Sequence, residues 1–410
     1  MNLKIKILIS FLLVYALFCF LSLNRHSSGK PFTYHSELWA DKAGYNVYLP
    51  AIFIYDFDGS KFPEHIIEKT GYGFSIDSIS NRIITKYPYG VSLLQSPFWL
   101  IAHSLSTEKD GFSLYYQKSI DFAGSFYLTL SLFILFFTIN KFKNLKESIF
   151  LSLATILSSG IFYYGIFETG MSHVYSFFCL SALLYFILSN KNLLYITLFS
   201  ALYVVVRPIN AIFLLIMLGY FIYNKTLVLN KSDFTFKILV TIFTICLIAI
   251  LPQSLYYNYA FDSMITNSYK NEPFILPTAT RILELLIGPN NGLLLYYPII
   301  IMFLWFVSTN KTPFNKLIIS LFLVYVLIYS AWWSLSLGCG FGHRAFNDIF
   351  VIFVLPLIFS PNFNKKLVYS LITLCILLNV KFIFSYDTCL HNSLNWSYLE
   401  YKDILFGEFK

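Results

Sequence analysis

The chain has 410 residues, 57% of them hydrophobic and only 12% charged, with 44 Phe, 31 Tyr and a net charge of +8; its mean hydropathy is +0.66. Soluble domains carry about 25% charged residues, and a water-soluble fold of this length has no means of hiding so much apolar surface. The composition therefore excludes a soluble fold and makes lipid the solvent, and the basic excess becomes a question of position relative to the bilayer rather than a sign of nucleic acid.

In chain order, Lys4 and Lys6 precede an apolar run to Leu23. It reads as a retained first helix rather than a signal peptide, because the run is roughly 17 residues long and no small-x-small cleavage site follows. A long polar loop, 24–118, comes next, and it contains a further apolar stretch at 88–105. Apolar runs then recur at 119–140, 148–167, 172–189, 192–206, 208–223, 238–257, 292–309, 315–333, 346–361 and 367–385, which with the first makes about eleven transmembrane helices.

Positive charge decides the status of 88–105. If this stretch does not cross, the loops on the N-terminal side carry thirteen Lys against two acids, Glu147 and Asp233, while loop 24–118 holds nine basic and nine acidic residues. That is the asymmetry of the positive-inside rule, with the N-terminus cytoplasmic; a crossing at 88–105 would turn every later basic loop outward. The stretch, with Pro97, Phe98 and Trp99, is therefore an interfacial helix on the outer surface. The expected fold is an all-α polytopic protein of the inner (plasma) membrane, one integral membrane domain over 1–410. It comprises outer loop 24–118, a bundle over 119–385 and an outer tail, 386–410.

Four of the six cysteines lie inside apolar runs, where a free thiol acts as a small hydrophobe. Cys339 and Cys389 fall on the outer side, where a disulfide between them is an open pairing. Asn395-Trp-Ser is an outer glycosylation-type match. The seven histidines are scattered without metal-ligand spacing, and HExxH, GxSxG and P-loop patterns are absent.

With this topology the unusual polar residues gather on one face. Glu37, Asp41, Lys42, Tyr45 and Lys86-Tyr87-Pro88-Tyr89-Gly90 lie in the first outer loop. Glu168 and His173 flank an outer turn, Arg207-Pro208 breaks an apolar run, and Trp332-Trp333 leads to Gly338-x-Gly340-x-Gly342-His343-Arg344. Ionisable groups at a membrane boundary are costly unless paired or functional. Simpler readings stand beside the functional ones. Asp41 alone is a loop acid, its aromatic neighbours form an interfacial belt, Glu168 and His173 pair locally, and Arg207 snorkels to headgroups. The glycine run lacks the βαβ surroundings of a dinucleotide site, and Arg344 beside it is suited to bidentate phosphate binding.

Asp41 within Asp-Lys-Ala-Gly-Tyr-Asn-Val-Tyr-Leu-Pro, Lys86–Gly90, Met171-Ser-His173-Val-Tyr175, Arg207-Pro-Ile-Asn210, and Trp332-Trp333 followed by Phe341-Gly-His-Arg344 together resemble the GT-C superfamily of polytopic glycosyltransferases. The likeness is to the bacterial family 39-like members, of the protein O-mannosyltransferase and aminoarabinose-transferase type. The acid pair often seen in that first loop is here Asp41-Lys42, with Glu37 four residues earlier, and a large soluble C-terminal domain is missing.

The resemblance implies transfer of a sugar from a polyprenyl-phosphate donor to an outer-face acceptor (glycan, lipid or protein); the residues call for no cofactor, and dependence on a divalent metal stays open. Asp41 would be the general base. Arg344 and Arg207, with Lys86 and His343 behind them, would hold the lipid phosphate. Glu37, Tyr45, Tyr87, Glu168, His173 and Trp333 would contact substrate. The alternative is a transporter or flippase of lipid-linked sugars, which calls for polar residues in broken helices at the bilayer midplane. A lipid-linked polysaccharide polymerase or ligase and a non-catalytic scaffold are further rivals.

Overall fold

The computed structural model describes residues 3–27, 32–190, 192–228, 235–270, 272–386 and 397–407. Helix α1 (Leu3–Ser27) leads into a long first loop carrying α2 (Asp41–Asn46), α3 (Tyr48–Phe53), α4 (Ile66–Lys69), a two-stranded antiparallel ribbon and α5 (Gly90–Leu105). The ribbon pairs β1 (Ser75–Ile76) with β2 (Ile83–Ile84), Ser75 opposite Ile84, and is the one sheet among the described residues. Helices α6 (Leu114–Ile139), α7 (Leu145–Leu157), α8 (Ile161–Ile166), α9 (Ser172–Tyr185), α10 (Leu193–Val206), α11 (Asn210–Tyr223) and α12 (Phe236–Phe261) follow. A second loop holds α13 (Ala279–Ile287), then come α14 (Leu293–Tyr296), α15 (Ile299–Thr309) and α16 (Asn315–Ser330). A third loop passes into two 3-10 turns, Arg344–Asp348 and Phe350–Val354, before α17 (Leu355–Phe359), α18 (Lys365–Ser385) and α19 (Tyr398–Phe406).

Five of these helices are long and apolar enough to cross a bilayer: α1, α6, α9 with its π-turn extension to Ser189, α12 and α18. The most apolar windows of α6 and α9 are 61% and 78% buried, whereas none of that of α12 is. So α6 and α9 form the centre of the bundle and α12 its rim. Although the C-terminal turns of α12 pack against the first loop through Tyr256 and Tyr259, an apolar stretch of 18 residues with none of them buried is stable only where the surrounding solvent is itself apolar; the molecule is a helical membrane protein.

The structure redraws several expected boundaries. α6 begins at Leu114, so Lys118 and Asp121 lie in its first turns rather than at the loop's end. The run 148–167 is broken into α7 and α8 around Ser158-Ser159-Gly160. A Cβ on Gly160 would sit 2.1 Å from the Tyr297 hydroxyl, so the break is also where a second segment comes in close. The run 292–309 is likewise split, at Tyr297-Pro298, into α14 and α15.

The apolar run 346–361 is not a regular helix but successive 3-10 turns ending in α17; 3-10 segments longer than a turn often mark strained or functional sequence. The surface stretch at 88–105 starts at Gly90. One face of α5 packs inward with Trp99 fully buried, while Ile101 and Leu105 are exposed on the other. The tail contributes α19, tied back by Tyr398 to the Ile287 carbonyl (2.9 Å) and by Tyr401 to the Leu295 carbonyl (3.0 Å).

Candidate active site

Asp41 opens α2, and one turn later Gly44 permits a close approach: a Cβ there would lie 2.3 Å from both the Gly73 carbonyl and the Tyr87 ring. That contact brings the Tyr87 hydroxyl to Asp41 Oδ1, to which it donates. Oδ2 accepts from Arg344 Nη2 at 2.8 Å.

Arg344 arrives from a third loop whose turns need glycine, with φ of +82° at Gly338 and +61° at Gly342. Asn291 ties this loop together. Its Nδ2 donates to the carbonyls of Ser336 (3.0 Å), Gly338 (3.3 Å) and Gly340 (2.7 Å), and its Oδ1 accepts from Gly342 N–H (3.1 Å). Residues 303 positions apart are thereby joined in one ion pair.

A second acid–guanidinium pair lies alongside. Arg207, where α10 ends before Pro208, sets Nε 3.1 Å from Asp348 Oδ2, and His173 Nδ1 is 3.2 Å from Asp348 Oδ1. Arg207 Nη1 also donates to Ser172 Oγ at 3.3 Å. The Tyr45 hydroxyl donates to the same Ser172 Oγ at 3.1 Å, and its ring packs 4.5 Å from that of Tyr87. Asp348 follows Arg344 by four residues on one 3-10 turn. The arrangement is thus two arginines from different parts of the chain, two carboxylates, and tyrosines between them.

Burial acts to raise the Asp41 carboxyl, but the Arg344 guanidinium, the Tyr87 hydroxyl and Lys86 outweigh it and hold Asp41 below the ordinary carboxylate range. It is therefore ionised at neutral pH. Burial first, and the Asp41 charge second, push the Tyr87 hydroxyl well above its usual range, so the phenol keeps its proton and stays a donor. Burial also raises Tyr45, opposed by Arg207 and Arg344 and aided by Asp41.

The remaining sequence-chosen residues divide. Lys86 pairs with Glu272, with its Nζ 5.3 Å from the Tyr87 ring centroid and 5.4 Å from that of Tyr269. Trp333, 47% exposed, donates Nε1 to Glu272 Oε2 at 3.2 Å. These form a rim one residue removed from Asp41.

Glu37 and Glu168 are buried in other pairs: Glu37 accepts from Lys118 Nζ at 2.6 Å, and Glu168 Oε2 lies 2.8 Å from Lys42 Nζ. With Asp121, which accepts from Ser22 and Thr169 (both 2.9 Å), they clip the first loop to α1, α6 and the α8–α9 turn. Their charges are taken up in that clip rather than in the Asp41–Arg344 pair.

His343 also departs from its expected role as a phosphate-binding cation. It is fully buried against the Tyr325 hydroxyl, and burial, with Arg344 adding to it, pushes its pKa down to about 3, so it carries no charge at neutral pH.

Asp348, Asn291, Tyr269 and Glu272 escaped the sequence reading. For Asp348 a signal exists, since an acid beside an apolar run implies a partner. The others lie in loops whose register only the fold reveals.

Among the described residues no group of three or more His, Cys, Asp and Glu side chains is placed to hold a metal ion. Cys339 is disulfide-bonded, while Cys389 and Asn395 lie outside the described residues. No protein-family model matches this chain, and no curated protein or solved structure matches it either.

Proposed function

We propose that the protein is a glycosyltransferase of the GT-C type. In this reading it has about eleven membrane crossings with the N-terminus cytoplasmic, and moves a sugar from a polyprenyl-phosphate carrier to an acceptor at the outer face of the plasma membrane. The observation that carries the reading is the meeting of Asp41 with Arg344 at 2.8 Å, beside the Arg207–Asp348 pair. A carboxylate able to take a proton and two guanidiniums able to grip phosphate share one polar nest at the end of an apolar bundle.

The chemistry follows from those groups. The acceptor hydroxyl attacks the anomeric carbon, and its proton passes to an Asp41 carboxylate oxygen. The bond from that carbon to the phosphate oxygen breaks, and the lipid phosphate leaves with one more negative charge, which Arg344 and Arg207 balance. Arg344 here has the double duty of holding Asp41 until donor arrives. When the donor phosphate draws the guanidinium away, the main influence depressing the Asp41 pKa is lost while its burial persists. The carboxylate then becomes a stronger base at the moment a base is required. Tyr87 keeps it oriented through the second oxygen.

The test is to incubate the purified protein with a panel of polyprenyl-phosphate sugars and follow loss of the lipid-linked sugar. A positioned general base contributes about 10²–10⁴-fold, so Asp41→Asn should lose turnover on that order at equal protein level. Turnover at the unaltered rate would remove Asp41 from the chemistry.

A further inference from the structure

A cleft of about 410 Å3 opens beside Asp41, within the size range of clefts that hold small molecules. Its walls come from the first loop, through Tyr72, Phe74, Ser75, Thr85 and Lys86; only Phe261, at the end of α12, belongs to a membrane-length helix. Acyl chains would meet few apolar span residues here.

Two charged residues line the cleft, Asp41 and Lys86, and each already faces an opposite charge, Arg344 and Glu272 respectively. A charged occupant would find no uncommitted counter-ion among them, and burying an unmatched charge is costly. The rest of the lining mixes hydroxyl-bearing residues (Ser75, Thr85, Ser268 and the tyrosines) and aromatic rings with the aliphatic side chains of Ile67 and Ile84. Ser75 is exposed, Ser268 Oγ already donates to the Lys86 carbonyl at 2.8 Å and so presents lone pairs, and Tyr72 stands at the rim 72% exposed. Tyr72 is also held at φ +57°, a left-handed conformation uncommon for a large residue.

A peptide adding itself as a strand is disfavoured at β2. Ile83 N–H donates to the Tyr259 hydroxyl (2.8 Å) and Thr85 N–H to the Tyr256 hydroxyl (2.6 Å), so the main-chain groups such a strand would need are taken.

We infer that the cleft is the acceptor site and that the acceptor is an uncharged glycan, whose terminal sugar lies between the Tyr72 rim and Asp41. The inference rests on the transfer reading above for what the acceptor does there, but its binding is separable from turnover.

The experiment uses the full chain in lipid nanodiscs and saturation-transfer NMR with maltotriose and mannotriose as neutral probes. Trigalacturonate and a Ser/Thr-rich hexapeptide serve as counter-probes. The expected result is a saturable signal from at least one neutral trisaccharide, about tenfold weaker or more for trigalacturonate. Ser75→Trp, which fills the cleft from an exposed position, should abolish it at an unchanged thermal midpoint. A neutral-trisaccharide signal indifferent to Ser75→Trp, no signal at all, or tighter binding of the peptide or the charged trisaccharide overturns the inference. Binding that Ser75→Trp abolishes, without consumption of any lipid-linked donor, supports the cleft and counts against transfer. Donor consumption stimulated by the peptide alone leaves transfer standing and removes the glycan.

Discussion

At 2.8 Å from Arg344, Asp41 is held in its charged form by a group on the far side of the sequence. A carboxyl whose folded pKa is depressed stabilises the fold above its unfolded value, about 4, and loses that contribution as pH falls through the lower folded value. Because Asp41 is depressed, Asp41→Asn should melt below the unaltered protein at neutral pH, and the gap should close on acidification below about pH 4. A gap constant from pH 7 downward would contradict the pairing.

Asp348 differs in degree: it is 1% exposed and serves both Arg207 and His173. Breaking a buried pair from one side costs about 3–5 kcal/mol, so Asp348→Asn should lower the thermal midpoint more than Asp41→Asn, whose side chain is 30% exposed. The reverse order would mean that Arg207 finds another counter-ion. Arg207 stands out in the sequence because it breaks an apolar run, whereas Asp41, in a polar loop, is singled out only by its resemblance to the family pattern. His343 misled because sequence gives a residue's type but not its burial, and burial removes the charge for which it was chosen.

Elements were legible to the extent that hydropathy tracks them. Hydropathy marks the apolar runs but not the breaks inside them: 3-10 and α-helical segments of equal apolarity average alike, and the split at Ser158–Gly160 coincides with the close approach of Tyr297 from elsewhere in the chain. The third loop shows the opposite case, where the glycines were visible and their geometry was not. Gly342 has φ +61°, and a Cβ there would meet the Tyr297 ring at 2.7 Å. Gly342→Ala should therefore displace the turn carrying Arg344. A misplacement near 1 Å costs about a hundredfold in rate, and that loss of donor turnover is the expected outcome. Gly219→Ala is the control, since nothing lies within 4 Å of its would-be Cβ, and helix glycines replaced by alanine tend to gain stability. Equal turnover in the two variants would show that the loop does not position the arginine.

Across the whole molecule, apolar surface and charge define two different directions. The bare flank of α12 is the surface suited to lipid, while the contrast between basic short loops and the balanced first loop is the ground for the proposed crossing sense. Together they lead to an expected sidedness that single-cysteine labelling of intact cells tests directly. Ser75, Lys141, Lys311 and Lys402 are all exposed, so a cysteine at any of them is reachable from its own side. Native background is low for Cys19, Cys179 and Cys375, which are buried, and for Cys339, which is disulfide-bonded; the unaltered protein sets the baseline. With the N-terminus cytoplasmic and an odd number of crossings, a membrane-impermeant maleimide should label Ser75→Cys and Lys402→Cys in intact cells. Lys141→Cys and Lys311→Cys should react only after permeabilisation. Labelling of Ser75→Cys and Lys311→Cys from one side would break the alternation on which the charge argument depends. Labelling of Lys402→Cys only after permeabilisation, with the other three as expected, would make the number of crossings even and would return α18 to the same side as it began.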